Sequence, residues 1–311
     1  MRLALCSTAS LAVILASSGH EAAAHGFAGD RFFPATIQTD DPFVADEMSL
    51  PTLTRNPTDS TGMQSYSVET DIAKRITTTF GLTAQYEWNY FQPKGAPPTH
   101  GFGTLTTGAQ YQLFINAPHE FMALANLDVS WAHTGAVHQG MADDHTTISP
   151  GIDFGKGFGD LPASLPWLRP FAITGNISVD LPTRVNSAGM LNQNVFNAGF
   201  AIEYSLEFLQ HHVRDVGLKA PFDRLIPLVE ITSATPFNRS AVMGMTNGGG
   251  NATTGVVAPG VIWAGQYYQI GAEALVPYGE GQGHGLGAVL QFHMFLDDLF
   301  PNSIGRPLMQ W

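Results

Sequence analysis

The sequence has few charged residues, a single cysteine and, past its N-terminus, no long apolar run. Charged residues make up 13% of the 311 residues, whereas a soluble domain carries about 25%. No internal stretch approaches the roughly 18–20 apolar residues of a transmembrane helix. The net charge is −12 and no Lys/Arg run is present, and nucleic-acid binding needs clustered positive charge. These absences argue against an ordinary soluble domain, a helical membrane protein and a nucleic-acid-binding protein.

The N-terminus has the pattern of a cleavable signal peptide. A positively charged residue precedes an apolar stretch from Leu3 to Ala16, and Ala22–Ala24 supplies small residues for cleavage. The sequence therefore predicts a signal peptide over 1–24 and an exported mature chain that starts at His25. The single cysteine, Cys6, lies inside this segment, so the mature chain can form no disulfide.

From about residue 65 onward the chain repeats segments in which apolar and polar side chains alternate. A period of two predicts β-strands, because successive side chains point to opposite faces of a strand. In the segment Thr78–Phe91, for example, Leu82 falls on one face and Glu87 on the other. Equally clear alternation occurs in Phe121–Trp131, Phe171–Leu181, Phe196–Phe208 and Leu286–Leu296. Weaker segments lie near 49–55, 65–76, 102–116, 146–156, 224–236, 253–264 and 267–277.

The lengths of these segments favour a transmembrane barrel over a soluble β-sandwich. Strands of soluble proteins usually span about 5–6 residues, whereas membrane-spanning strands need about 9–11. Aromatic residues at the segment ends and alternating short and long connections are also typical of such barrels. The predicted fold is all-β: an antiparallel barrel of about twelve strands over 49–298. We expect 25–48 to be an irregular periplasmic extension or plug, and 299–311 a periplasmic tail.

The polar faces of the predicted strands carry many acids and few bases. If these faces line the lumen, the barrel should favour cations, because the charge along a pore sets its selectivity. Alternatively, the acids bond to one another, to threonine and to water, and so fill a narrow barrel. The predicted lumen-lining acids are Glu69, Asp71, Glu87, Asp128, Asp153, Asp180, Glu203, Glu207, Glu230 and Glu273.

Histidines and acids in a predicted outer loop, together with the mature N-terminus, form a second candidate site. Imidazole and carboxylate groups suit transition metals, copper among them. The amine and imidazole of an N-terminal histidine can chelate the same ion. Because the spacing is irregular, ordinary solvated loop histidines are the alternative. The candidate metal ligands are His25, His133, His138, Asp143, Asp144 and His145.

Three segments resemble a known family: His25–Pro34, Asp40–Glu47 and Gln291–Pro301. In these segments the chain resembles the outer-membrane channel proteins associated with the meta-pathway of phenol degradation. The resemblance implies a barrel in the outer membrane and uptake of hydrophobic or aromatic compounds. It brings no catalytic residues with it.

The sequence lacks the short motifs of common enzyme classes. No nucleophile elbow, His-Glu-x-x-His pair or phosphate-binding loop occurs, and those motifs carry the chemistry of many hydrolases and nucleotide-binding enzymes. We therefore expect no enzyme activity and no cofactor. The sequence predicts a channel or transporter of the Gram-negative outer membrane, with lipid and a small solute, hydrophobic or aromatic compounds included, as partners. A transition-metal uptake barrel and a structural barrel without transport are the alternatives, and the oligomeric state is left open.

Overall fold

The structure is a computed structural model that describes residues 26–184, 186–187, 190–237, 252–279 and 283–309. The predicted signal peptide and His25 lie outside these residues. The chain forms a closed antiparallel β-barrel of twelve strands. This confirms the fold that the two-residue alternation predicts. None of the described helices is long and apolar enough to cross a membrane.

Each strand of the barrel pairs with its neighbours in the chain. A hairpin of β1 (Phe27–Ala28) and β2 (Arg31–Phe32) comes first. The barrel strands of the first half are β3 (Glu47–Arg55), β4 (Gln64–Arg75), β5 (Phe80–Gln92), β6 (Thr99–Phe102) with β7 (Leu105–Asn116), β8 (Phe121–Trp131), β9 (Thr147–Gly157) and β10 (Phe171–Pro182). After the small pair β11 (Asn186–Ser187) and β12 (Met190–Leu191) come β13 (Val195–Tyr204), β14 (Leu225–Pro236), β15 (Thr254–Ala264), β16 (Tyr268–Gly279) and β17 (Gly287–Phe295).

Two of these elements, β6 and β7, form one barrel strand that is interrupted at Gly103. Two short α-helices, α1 (Leu206–Phe208) and α2 (Leu296–Leu299), follow β13 and β17. The barrel closes where β3, the first strand, pairs with β17, the last, from Glu47 opposite Phe295 to Arg55 opposite Ala288.

We call the end where β3 begins and β17 ends the turn end, and the opposite end the loop end. The turn end carries the short connections 117–120 and 265–267, and in outer-membrane barrels that end faces the periplasm. The first barrel strand begins at Glu47 and the last ends at Phe295, compared with predicted limits of 49 and 298.

The apolar faces of the strands point out of the barrel and the polar faces point in. Ile152 on β9 is 53% exposed, whereas the adjacent Asp153 is fully buried. The same contrast holds on β13 between the exposed Ile202 and the buried Glu203. An outward apolar face and an inward polar face are the arrangement of a barrel surrounded by lipid.

Candidate functional site

The acids predicted to line the lumen lie on the inward faces of the barrel strands, with one exception. The exception is Glu207, which lies exposed in α1 and not on a strand. The predicted strand was too long here, because Ser205 ends it: the Ser205 hydroxyl accepts a hydrogen bond of 3.1 Å from the Phe208 N–H and so caps the helix. The acids on strands are Glu69, Asp71, Glu87, Asp128, Asp153, Asp180, Glu203, Glu230 and Glu273.

None of these strand acids forms an ion pair with Lys or Arg within the part of the chain that the structure describes. The partners of several are neutral. The Asn126 amide donates to Asp153 at 2.7 Å, and the Thr174 hydroxyl donates to Glu203 at 3.0 Å. The wall of the lumen is therefore acidic and is not neutralised by bases.

The lumen contains the segment that precedes the barrel, residues 26–46, which we call the luminal segment. It contacts strands on several sides of the barrel. The Gln112 amide on β7 donates to Pro42 O at 3.2 Å, and the Asn176 amide on β10 donates to Asp40 at 2.7 Å. On β16, the Gln269 amide donates to Ala35 O. Because its partners surround it, this segment occupies the interior of the barrel.

Arg31 anchors the luminal segment at the turn end. It is 1% exposed, and its Nε donates to the Glu120 carboxylate at 3.2 Å. Its terminal nitrogens donate to the carbonyls of Pro170 and Arg169. The guanidinium also lies 3.7 Å above the ring of Phe208. Burial lowers the pKa of Arg31 below its usual value, and the charge of Glu120 acts in the opposite direction.

Glycines make room for the Glu120 carboxylate. A Cβ on Gly159 would lie 2.0 Å from one Glu120 oxygen, and a Cβ on Gly157 would lie 2.2 Å from the other. The Gly159 N–H donates to the same carboxylate at 2.8 Å. A side chain at either position would displace Glu120, and with it the partner of Arg31.

Glu230 holds the middle of the luminal segment. Its two carboxylate oxygens accept hydrogen bonds from the backbone N–H of Ile37 at 2.7 Å and of Gln38 at 3.0 Å. The Thr39 hydroxyl also donates to it, at 2.9 Å. A carboxylate that receives backbone and hydroxyl donors forms charge-assisted bonds, which are stronger than neutral ones. One lumen acid thus fixes the course of the segment.

A second polar cluster joins the end of the luminal segment to the barrel seam. Asp46 is fully buried and forms ion pairs with Lys74 and, at 2.8 Å, with Arg75. The Asp46 carbonyl accepts the N–H groups of Leu296 and Asp297, just after the last strand. Lys74 and Arg75 also donate to the tail carbonyls of Ile304, Arg306 and Gly305. This cluster ties together both strands of the seam, β4 and the tail.

On the inner face of the seam lies a third cluster. The Ser49 hydroxyl is 2.9 Å from His293 Nδ1, and His293 Nε2 is 3.4 Å from a Glu47 oxygen. All three side chains are more than nine-tenths buried. Sequence reasoning missed this cluster, and the Arg31–Glu120 and Asp46 clusters too, because their members lie far apart in the chain.

The loop end contains a cavity of about 320 Å³ between the barrel wall and the loop 132–146. Its lining is mostly polar. The Asp143 N–H donates to the Thr104 hydroxyl at 2.9 Å, and that hydroxyl lies 3.2 Å from the Asp143 carboxylate. The cavity is lined by Glu69, Gln85, Glu87, Thr104, Thr106, Gly140, Met141, Ala142 and Asp143.

The candidate metal ligands of the loop 132–146 do not converge. His145 Nδ1 lies 3.1 Å from Asp144, His138 is exposed, and Asp143 faces the cavity. His133 has a φ of 59° and donates its backbone N–H to the Asp143 carbonyl. Among the residues that the structure describes, no three His, Cys, Asp or Glu side chains lie where they could hold one metal ion.

Comparisons with solved structures find the same fold in outer-membrane proteins. An outer membrane channel from Pseudomonas putida F1 superposes with a TM-score of 0.60 at 11% identity, covering 84% of this chain and 99% of that one. The NanC and KdgM porins give TM-scores of 0.46 and 0.44 at 9% identity, covering 79% of this chain and 98% of theirs. A scan of protein-family models and a search of curated proteins find no match. At 11% identity, the likeness to the Pseudomonas putida F1 channel establishes the fold alone, a barrel of the outer-membrane type.

Proposed function

We propose that this protein is an outer-membrane channel for small solutes, that its lumen prefers cations, and that the luminal segment restricts the passage. The observation that carries this proposal is the set of strand acids that face the lumen without a basic partner. Pore-lining charge attracts ions of the opposite sign and excludes those of the same sign. The channel structure from Pseudomonas putida F1 shares the fold and supports the same kind of role.

The distribution of basic residues supports cation preference. The described Lys and Arg residues lie at the two ends of the barrel, and the middle of the lumen has only acids. Bases at the turn end are Arg31, Lys74, Arg75, Lys156, Arg169, Arg214, Lys219, Arg224 and Arg306, and those at the loop end are Arg55, Lys94 and Arg184. Between the two ends, a cation in the lumen therefore passes carboxylates and no basic side chain of the described residues.

The luminal segment supports a restricted passage. Its contacts with β7, β10, β14 and β16 leave it in the path of a solute. Movement of this segment, or passage beside it, is therefore part of the proposed function.

The class of solute belongs to the proposal as well. The resemblance to the phenol-degradation channels supports a hydrophobic or aromatic solute, whereas the polar, acidic wall supports a charged one. An aromatic cation would satisfy both. The described residues offer no favourable arrangement for the alternative of metal uptake.

Ion selectivity in planar bilayers tests the proposal. Under a KCl gradient the refolded protein should give a reversal potential of the sign expected for cations. Asp128→Asn/Asp180→Asn, which removes two lumen charges, should move that potential towards zero. Glu207→Gln/Asp215→Asn removes the same charge from exposed sites at the turn end and should leave it unchanged. A folded barrel that never conducts would contradict the channel and favour a structural role.

The charge preference for aromatic solutes can be measured in the same bilayers. Benzylammonium and benzoate carry similar rings and opposite charges. We expect current from benzylammonium chloride to be carried by the cation, and benzoate to be excluded. Equal permeation by both ions would show that the wall acids do not select.

A further inference from the structure

The loop-end cavity is lined by more hydrogen-bond acceptors than donors and by no cationic side chain. Three carboxylates, Glu69, Glu87 and Asp143, line it together with Gln85 and two threonine hydroxyls. Neither Lys nor Arg is among the lining residues. A molecule that fills this space must therefore supply donors to the wall.

From Glu69 and Glu87 an inward-facing row of polar side chains continues across the neighbouring strands, beyond the lining of the cavity. Strand pairing places Gln291, Thr52, Glu69 and Glu87 opposite one another on β17, β3, β4 and β5. Thr52 is 6% exposed and Gln291 7%. Their oxygens, Thr52 Oγ1 and Gln291 Oε1, have no hydrogen-bond partner among the described residues. Leaving a buried acceptor without a hydrogen-bond donor costs about 1–3 kcal/mol of folding free energy. Donors supplied by a bound molecule would therefore also stabilise this row.

The surrounding backbone keeps the cavity in shape. A Cβ on Gly103 would lie 2.7 Å from a Glu87 oxygen, and a Cβ on Gly135 would lie 2.1 Å from the Gly103 carbonyl. The Thr134 hydroxyl receives the Leu105 N–H at 2.8 Å, which fixes the loop to the top of β7. Close packing and this hydrogen bond therefore fix the loop against the barrel and define the shape of the cavity.

The size and the ligand set indicate an organic cation. The volume of about 320 Å³ is at the lower limit of the roughly 300–1,000 Å³ of small-molecule sites. A bare metal ion needs several converging ligands, and the described residues show no such group. An ammonium group has three hydrogen-bond donors and no acceptor. It therefore complements a cavity lined by carboxylates, which only accept hydrogen bonds.

We infer that the loop-end cavity binds a small organic amine, a diamine above all, with its ammonium groups on Glu69, Glu87 and Asp143. The inference rests on the proposed function, because the amine would be a solute of the proposed channel. The binding itself does not require that the channel conduct. One ammonium group can reach Glu69 and Glu87, which are paired neighbours on β4 and β5, and the second can reach Asp143 across the cavity.

Calorimetric titration of the refolded barrel tests the inference with two molecules of equal length, 1,4-diaminobutane and 1,4-butanediol. We expect the diamine to bind, with an affinity that falls as salt is added, and the diol to bind at least about tenfold more weakly. The double variant Glu69→Gln/Glu87→Gln should lower the affinity for the diamine by about tenfold or more. The control Glu207→Gln/Asp215→Asn changes the net charge equally and should bind as the wild type does.

Heat-modifiability on a gel confirms that each variant is folded before titration. Equal binding of diamine and diol, or unchanged binding by folded Glu69→Gln/Glu87→Gln, would overturn the inference. Conductance measured on the same preparations separates it from the proposed function. A barrel that conducts cations without binding the diamine contradicts the site alone, and one that binds the diamine without conducting contradicts the channel alone.

Discussion

The turn end and the lumen wall differ in whether their ionisable side chains are paired with groups of opposite charge. At the turn end the buried charges of Arg31 and Asp46 have partners of opposite sign, Glu120 and Arg75. On the lumen wall, Asp153 and Glu273 form no ion pair with Lys or Arg among the described residues.

This difference separates two uses of ionisable side chains. Paired charges fix geometry, because removing one partner leaves an uncompensated buried charge. Unpaired acids cost stability, and under the proposed function the cations they attract account for their presence along the lumen. Glu230 is the wall acid that also has a structural role, since it holds the luminal segment.

The largest expected effect is the loss of the Asp46 carboxylate. Asp46→Ala leaves Lys74 without its acid and leaves Arg75 with only Asp297, at 3.6 Å. Breaking such a buried pair costs about 3–5 kcal/mol. We expect a corresponding loss in the free energy of unfolding, measured by urea titration in detergent. Asp160→Ala is the control, since it breaks the partly exposed pair with Lys156, and such pairs are worth about 0–1 kcal/mol. Equal effects of the two variants would remove the contrast between buried and exposed charge.

A smaller effect should follow from Arg31→Met, which keeps the length of the side chain but not its charge. The luminal segment then loses its bond to Glu120, and bonds to charged groups contribute about 1.5–3 kcal/mol. We expect the barrel to stay folded while the segment becomes open to protease and the single-channel conductance rises. Lys156→Met removes a partly exposed charge at the same end and should change neither. Unchanged protection in Arg31→Met would show that the other contacts of the segment hold it without Arg31.

The smallest effect concerns pH and the Asp41 carboxyl group. Burial first, and the charge of Glu47 second, raise the pKa of Asp41 well above its usual value. The folded segment therefore holds this proton more tightly than the released segment does. Its contribution is complete below the usual pKa of about 3.9 and is lost as pH rises through the raised value.

Protease protection of the luminal segment should accordingly decrease with rising pH. Asp41→Asn, which can keep the bond from the Thr36 N–H, should flatten this dependence. A wild-type profile that is already flat, or that rises with pH, would contradict the assignment.

The architecture could be predicted from the sequence because it depends on local alternation. Leu82 beside Thr83, or Ile152 beside Asp153, reveals which side chain faces lipid, whatever the partner strand. Strand number followed from counting such segments. The end of β13 was missed because Ser205 stops the strand with a helix cap, while the apolar alternation continues to Phe208.

The candidate site could be predicted only in part. The acids of the wall follow from periodicity, since each lies on the polar face of its own strand. The course of the luminal segment does not, because Glu230 meets Ile37 at a separation of 193 residues. No local pattern encodes such a contact. The loop-end cavity likewise depends on how the loop 132–146 folds back over β5 and β6.

The pairing of β3 with β17 determines the order in which this molecule can be assembled. Glu47 and Phe295 meet only when nearly the whole chain is available, and until then the sheet has two unpaired edges that invite pairing with other chains. Local hairpins can form early, but the closing contact is the most distant one in sequence, and such contacts form slowly. A chain that stops before Gly287 therefore lacks the strand that closes the barrel and keeps both edges unpaired.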